Sequence, residues 1–453
     1  MTKRILFGTD GIRGQANFYP ITVEVMLALG KALGFWVKQN PKNKRGLVVI
    51  GKDTRLSGYA LEQALSAGLC SMGADVRLLG PLPTPAIAHL TTALQADVGL
   101  MISASHNPYE DNGVKIFGPD GFKLPDSKEL ELEQLIFHPS FETTSQIGKV
   151  KRINDAAIQY MDYLLSLANP DFHLKGLKIV LDCANGAAYK VAPRLLHELG
   201  AELIILGASP NGTNINHEIG ALHPQFARKI VQDTGANLGI VLDGDADRVV
   251  LIDETGQVIP GDTLLALVAL YLQTEGRLTH NTVVCTEMSN FGLEQSLHQH
   301  GISVERTAVG DRYVVERMRQ KGYAFGGEES GHLIFLGHGT TGDGLAGALL
   351  ALNLLQEKKQ TLSELKTLLK LMPRSIQNRL VPAKPPLSEL PKSSALIAKI
   401  THELGARGRI LVRYSGTEKK LRVLVEGPDL SSIEAMAQAV ADSVIQEIEE
   451  QLN

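Results

Sequence analysis

Cysteine is scarce in this sequence: the 453 residues hold three, Cys70, Cys183 and Cys285, far apart and each in apolar surroundings. They supply neither a disulfide framework nor a metal-binding spacing, and they read as small buried hydrophobes. Long apolar runs are missing as well. The longest, Leu264 to Leu272, falls short of the ~20 residues that cross a bilayer. The opening MTKRILFGTDGIRG lacks the apolar stretch of a secretory signal. Without such a signal the Asn-Gly-Thr sequon at Asn211 carries no meaning. Positive charge is not in excess: 45 Lys and Arg stand against 49 Asp and Glu, a formal net charge of −4. A nucleic-acid or anionic-membrane partner would need a basic face, so neither is expected. Together these absences point to a soluble cytoplasmic protein.

What is present looks globular. The hydrophobic share is 44% and the charged share 21%, and at ~100–200 residues per domain the length suits two to four domains. A rhythm repeats along the chain. GLVVIG, VRLLG and DVGLMISAS read as strands around the helices Gly58–Met72 and TPAIAHLTTAL. LKIVLD, AELIILG and ANLGIVLDGD repeat the pattern around AYKVAPRLLHELG. TVVCTE, SVERTAVG and AFGGEES repeat it around FGLEQSLHQHG and RYVVERMRQKG. Short β-branched runs alternating with amphipathic helices indicate βαβ units. The expected fold class is α/β: three similar domains with mixed, mostly parallel sheets.

A composition shift follows the apolar helix GDGLAGALLALNLLQEKK. The stretch VPAKPPLSELPKSS is proline-rich and reads as a linker or surface loop. Beyond it, GRILVRYSGTEKKLRVLVEG gives strand, loop, strand, and LSSIEAMAQAVADSVIQEIEEQL one amphipathic helix. That is a small C-terminal α+β domain. The expected domains are 1–150, 151–256, 257–371 and 372–453.

In each unit a late strand empties into a polar loop: SASHNP, DGDADR and GGEESGH. Open α/β sheets bind ligands beyond the carboxyl ends of their strands, so these loops are candidates to share one cleft. In DGDADR, Asp243, Asp245 and Asp247 alternate between two apolar runs. In an extended segment alternate residues face one side, and three crowded carboxylates call for a hard cation, Mg²⁺ or Ca²⁺. An EF-hand is excluded, because its turn glycine would be Arg248 and the flanks read as strands. In RYSGTEKKLR, Arg413, Ser415, Gly416, Thr417 and Arg422 offer two guanidinium forks, two hydroxyls and an accessible backbone, a set that fits a phosphate. In GGEESGH, Glu328, Glu329, Ser330 and His332 suit sugar hydroxyls. GTDGIRG holds Asp10 and Arg13 in a glycine-rich turn.

The loop SASHNP places Ser105 at the end of a buried strand, ten positions before Lys115. His106 is not a protease-type base for it. Neighbours in an extended segment point apart, no GxSxG elbow exists, and His106 reads as bonding the loop backbone. A serine beside a divalent cation is placed to carry or pass a phosphoryl group.

SASHNPYEDNGVKIF, DGDADR, GGEESGH and RYSGTE occur in this order and together resemble the α-D-phosphohexomutase superfamily over essentially the whole chain. FGTDGIRG and the serine-led SASHNP look like its bacterial amino-sugar branch. The resemblance implies four domains around a central cleft. It makes Ser105 a phosphoserine that donates and recovers the phosphoryl group, with Lys115, Arg13 and His106 in the catalytic set. Ser105, Asp243, Asp245 and Asp247 would hold Mg²⁺. Arg248, Glu328, Ser330 and His332 would bind the sugar, and Arg413, Ser415, Gly416, Thr417 and Arg422 the phosphate not being transferred. The implied reaction interconverts glucosamine 6-phosphate and glucosamine 1-phosphate through a 1,6-bisphosphate, feeding UDP-N-acetylglucosamine and cell-wall precursor synthesis. Neutral hexose phosphates are the alternative substrates, and the enzyme would be a monomer or homodimer. Lys115 has two open roles. As general acid/base it needs a lowered pKa, which nearby positive charge would provide; otherwise it stabilises charge.

Overall fold

The computed structural model describes residues 4–8, 10–39, 45–139, 144–415 and 419–452. They form two compact units, Met1–Met288 with Ile302–Leu368, and Ser289–Gly301 with Leu369–Asn453.

The first unit holds three sheets. One contains β1 (Ile12–Gln15), β2 (Leu47–Lys52), β3 (Asp75–Pro81), β4 (Val98–Ile102), β5 (Asp111–Phe117) and β6 (Val150–Arg152). Their order is β1-β5-β4-β2-β3-β6. The next contains β7 (Lys178–Asp182), β8 (Glu202–Leu206), β9 (Leu238–Leu242), β10 (Val249–Asp253) and β11 (Val258–Ile259), ordered β11-β10-β9-β7-β8. The third contains β12 (Thr282–Thr286), β13 (Ser303–Thr307), β14 (Phe325–Gly327) and β15 (Leu333–Phe335), ordered β13-β12-β14-β15.

One arrangement recurs in all three. Three parallel strands stand in the order second, first, third: β3-β2-β4, β8-β7-β9 and β13-β12-β14. A fourth strand, β5, β10 or β15, then pairs antiparallel with the third. The rhythm in the sequence is therefore a repeat of topology. The connection from third to fourth strand is the polar loop each time: residues 103–110, 243–248 and 328–332. The third strands are apolar because they are enclosed. β4 and β9 are buried at every position, as strands covered on both faces must be.

In the second unit, β16 (Arg374–Leu380), β17 (Arg409–Tyr414) and β18 (Lys420–Glu426) form an antiparallel sheet ordered β16-β18-β17. The helices Pro391–Leu404 and Leu430–Leu452 pack on it. The proline-rich stretch lies inside this unit, between β16 and the first of these helices. The sequence reading missed both elements. β16 alternates weakly, with only Ser375 fully buried, and the proline cluster hides a helix start. Pro391 sits in the first helical turn, where a missing N–H leaves no bond unmade. Asp429 Oδ2 caps the last helix by accepting the Ser432 N–H at 2.9 Å. Buried Glu426 accepts from Arg374 Nε at 2.8 Å, Arg409 Nε at 2.6 Å and the Phe291 N–H at 3.1 Å. That last bond ties the helix Phe291–Gln299 to this unit. Among the described residues no helix is long and apolar enough to cross a membrane.

Candidate functional site

Ser105 follows β4 and is 1% exposed. Its φ is +52°, in the left-handed region that non-glycine residues enter at a penalty. Hydrogen bonds hold it there. Its N–H donates to Ser103 Oγ at 2.9 Å, and Ser103 Oγ donates to Asp53 Oδ2 at 2.6 Å. Its carbonyl accepts from Arg55 Nη2 and Asn216 Nδ2, both at 2.9 Å. Its hydroxyl donates to Asp243 Oδ2 at 2.7 Å.

The turned backbone corrects one expectation. His106 does not point away from Ser105, because the segment is not extended: His106 Nδ1 lies 3.4 Å from Ser105 Oγ. Burial, with the charges of Arg248 and Arg13 nearby, lowers the His106 pKa to about 4. The ring is thus neutral at neutral pH.

The aspartates also converge by a different route from the one expected. Residues 243–248 are the turn between β9 and β10, with Ala246 at φ +54°. The turn, and no extended strand, brings one oxygen of each of Asp243, Asp245 and Asp247 within 4.8 Å of the others. All three residues are buried. Among the described residues, Asp245 Oδ1 and Asp247 Oδ1 are buried and accept no hydrogen bond. Burial, and then the like charges of Asp247 and Asp245, push the Asp243 carboxyl well above its usual range. Three converging carboxylates with unused oxygens fit a hard divalent cation held by oxygen ligands.

Lys115 lies on β5, opposite Met101 of β4. Its Nζ is 2.8 Å from Asp245 Oδ2, 2.9 Å from Asp247 Oδ2 and 3.5 Å from Asp10 Oδ2. Of the two roles left open for Lys115, general acid/base needs a lowered pKa, and the structure shows the opposite. Burial opposes its charge, but Asp10, Asp245 and Asp247 outweigh burial and hold it well above the usual value. Arg13 pulls the other way but does not overcome the three carboxylates, which leaves Lys115 the charge-stabilising role.

These contacts belong to a closed ring of alternating charge. Asp10 pairs with Arg13 and with Lys123. Lys123 Nζ reaches Asp311 Oδ2 at 2.6 Å. His332 lies between Asp311, 3.5 Å from Nε2, and Asp247, 3.6 Å from Nδ1. Asp247 returns to Lys115. Burial disfavours a charged His332, yet Asp247 and Asp311 raise its pKa to about 10.

The loop after β14 faces the same space. A cavity of about 310 Å³ is lined in part by His106, Asp243, Arg248, Glu329 and Ser330. Among the described residues, Arg13 Nε, Arg248 Nε and Ser330 Oγ are buried without a hydrogen-bond partner. Burial raises the Glu328 pKa against the pull of His332, and Thr286 Oγ1 donates to Glu329 Oε2 at 3.4 Å. The structure thus brings together Arg13, Ser105, His106, Lys115, the three aspartates, Arg248, Glu328, Ser330 and His332.

In the second unit, Arg413 of β17 and Arg422 of β18 are Cα partners. The Ser415 N–H donates to Lys420 O at 2.8 Å, and its carbonyl accepts from Lys384 Nζ at 2.6 Å. Gly416 and Thr417 lie outside the described residues.

Sequence reasoning missed several residues of the site. Thr84 Oγ1 donates to Asp245 Oδ2 at 2.5 Å, and Lys123, Asp311, Arg55 and Asn216 join as described. No local pattern marks them; Arg55 reaches the serine loop from the end of a neighbouring strand of the same sheet, and the others join elements of different sheets.

Four family models match the chain. They describe phosphoglucomutase/phosphomannomutase α/β/α domain I over residues 4–143, domain II over 159–256, domain III over 260–372 and the C-terminal domain over 375–443. Two relatives named phosphoglucosamine mutase are similar over nearly the full length. One, from Anaeromyxobacter sp. (strain Fw109-5), is 53% identical and covers 97% of this chain and 95% of its own. The other, from Syntrophotalea carbinolica, is 50% identical over 98% of this chain and 97% of its own. Among solved structures, a phosphoglucomutase/phosphomannomutase family protein from Burkholderia thailandensis shares the fold. Its TM-score is 0.81 at 24% identity, over 98% of this chain and 97% of that one.

Proposed function

The chain belongs to the phosphoglucomutase/phosphomannomutase family, and we propose that it acts as a phosphoglucosamine mutase, interconverting glucosamine 6-phosphate and glucosamine 1-phosphate. The observation that carries this reading is the Ser105 hydroxyl on Asp243, 2.7 Å away, inside a carboxylate triplet that fits a divalent cation. Relatives at 50–53% identity bear that enzyme's name, which favours the amino sugar over neutral hexoses.

Ser105 in this reading is a phosphoserine. Its phosphoryl passes from Oγ to the free O1 or O6 of the bound sugar phosphate: the Oγ–P bond breaks as the sugar O–P bond forms, and the proton of the sugar hydroxyl ends, in net, on Ser105 Oγ. The 1,6-bisphosphate formed turns end for end, and Ser105 Oγ takes back the other phosphoryl. Asp243, Asp245 and Asp247, with a phosphoserine oxygen, would hold Mg²⁺, which supplies charge neutralisation at the phosphoryl. Lys115, pinned between Asp245, Asp247 and Asp10, and Arg13 add fixed positive charge where the transferring oxygens carry negative charge. His106 and Arg248 line the same cavity. Glu328 and Ser330 hold sugar hydroxyls, while His332, buried with its two ring nitrogens on Asp247 and Asp311, props this loop instead of touching the sugar; Arg413, Ser415, Gly416, Thr417 and Arg422 hold the other phosphate. Burial of the serine limits attack by water on the phosphoenzyme. The setting is the cytoplasm.

The test compares kcat/KM for glucosamine 6-phosphate, glucose 6-phosphate and mannose 6-phosphate. The amino sugar is expected to lead by about 10-fold or more. Equal or faster turnover of a neutral sugar would reject the assignment.

A further inference from the structure

The residues that touch the reacting serine's backbone form a device of their own. Arg55, fully buried, donates from Nη2 to both Ser105 O and Asn107 O, each at 2.9 Å. Its Nη1 donates to Pro108 O, and its Nε is held by Asp53 Oδ2 at 2.8 Å. From the other side, Asn216 Nδ2 donates to the same two carbonyls, Ser105 O at 2.9 Å and Asn107 O at 3.1 Å. Arg55 follows β2 of the first sheet. Asn216 comes from the β8–β9 connection of the second. Asp53 also accepts the Ser103 hydroxyl that receives the Ser105 N–H. Both peptide groups flanking the Ser105 side chain are therefore fixed, one carbonyl from two domains at once.

We propose that Arg55 and Asn216 are positioning residues for phosphoryl transfer: they clamp the Ser105 and Asn107 carbonyls and hold Ser105 in its left-handed backbone conformation, with Oγ on the aspartate triplet. A left-handed serine returns readily to an extended conformation, which swings Oγ away from Asp243. The clamp blocks that return. It also couples the serine loop of one sheet to the metal loop of the next, since Gly244 passes between them. A Cβ on Gly244 would fall 2.6 Å from Ser105 O and 2.7 Å from Asn216 Nδ2. No proton or phosphoryl passes through either residue. Their part is to keep the donor oxygen in place through both transfers, where small misplacement is expensive in rate.

This inference rests on the proposed mutase reaction, and the experiment separates the two. Asn216→Gly removes the half of the clamp that comes from the second sheet, leaving Arg55 in place, while accepting the φ of +56° at that position. Asn216→Asp keeps the shape but turns oxygens toward the two carbonyls. Both full-length variants are assayed with glucosamine 6-phosphate and Mg²⁺, and hydrogen exchange is followed in peptides spanning 103–110. The expected result is a fall in kcat of about 10- to 100-fold, with KM within about threefold of the parent. Exchange should rise in the serine loop and stay unchanged in β2 and β4. Asn216→Asp should be impaired at least as much. An unchanged kcat in Asn216→Gly would overturn the proposal. So would a loss of kcat accompanied by faster exchange throughout the first sheet, which would mark a general structural role. Full turnover by Ser105→Ala would instead reject the mutase reading itself.

Discussion

Ser105 Oγ and Asp243 Oδ2 meet at 2.7 Å across 138 positions of sequence. Each residue lies in the loop that follows the third strand of its own sheet, so the contact joins equivalent loops of two repeats. The chemistry proposed here depends on that junction: a hydroxyl able to carry a phosphoryl, set against a carboxylate cluster able to hold a cation. The ring of charge through Lys115, Asp10, Lys123, Asp311, His332 and Asp247 fixes the surroundings.

Gly244 tests the closeness of that junction. An alanine Cβ there would sit 2.6 Å from Ser105 O and 2.9 Å from Ile215 Cδ1, and the backbone oxygen cannot yield as a side chain can. Gly244→Ala is expected to destabilise the protein by about 1–3 kcal/mol and to slow turnover by about 100-fold. Steady-state kinetics and a thermal melt check both. Wild-type kcat in this variant would contradict the packing described.

The aspartate turn makes a claim about metal. Chelation should abolish turnover, and Mg²⁺ should restore it. Asp245→Asn, which keeps volume but removes one charge, should reduce kcat by about 100-fold or more. Isothermal titration of Mg²⁺ should show weakened binding. Full activity of Asp245→Asn after chelation would dismiss the metal site.

Much of this is legible in the sequence. The three polar loops, the aspartate triplet and Ser105 stand out because chemistry-bearing residues interrupt apolar strands, and strand ends are where α/β sheets bind ligands. What the sequence hid was of two kinds. Backbone geometry is invisible there: nothing in SASHNP announces φ +52° at Ser105, the turn that brings His106 back beside the serine. Long-range recruitment was invisible too. Lys123 and Asp311 look like ordinary surface charges in GFKL and GDRY until the fold sets them 2.6 Å apart. The strand β16 escaped because it lies at the edge of a small sheet and has one buried position, leaving a weak alternation.

Asp311 links the ring between Lys123 and His332. Asp311→Asn removes one charge from this partly buried network, leaving Lys123 with Asp10. The expected result is a loss of about 1–3 kcal/mol in stability and about 10-fold in kcat, read from denaturant melts and initial rates. A variant indistinguishable from the parent in both would show that the ring is incidental.

Asp343, next to the residue whose N–H donates to Ala246 O of the aspartate turn, offers a pH test. It caps the helix Gly344–Lys358, accepting the Ala346 N–H at 2.9 Å and the Tyr160 hydroxyl at 2.9 Å. Burial raises its pKa from 3.8 to about 6. The folded state therefore binds this proton more tightly than the unfolded state. Its contribution is greatest below 3.8 and is lost as pH rises to about 6, on the order of 3 kcal/mol in all. Asp343→Asn cannot ionise and should lose that part of the slope. Melting temperatures of both proteins between pH 4 and 7 decide it, and parallel curves would refute the assignment.

The most direct measurement is the mass of the intact protein after incubation with glucosamine 1,6-bisphosphate, before and after phosphatase treatment, for the parent and for Ser105→Ala. The account requires one phosphoryl group on the parent, removed by phosphatase and mapped by fragmentation to Ser105, and none on the variant, which should be inactive. A phosphoryl group on another residue, or a Ser105→Ala enzyme that still interconverts the two sugar phosphates, would contradict it.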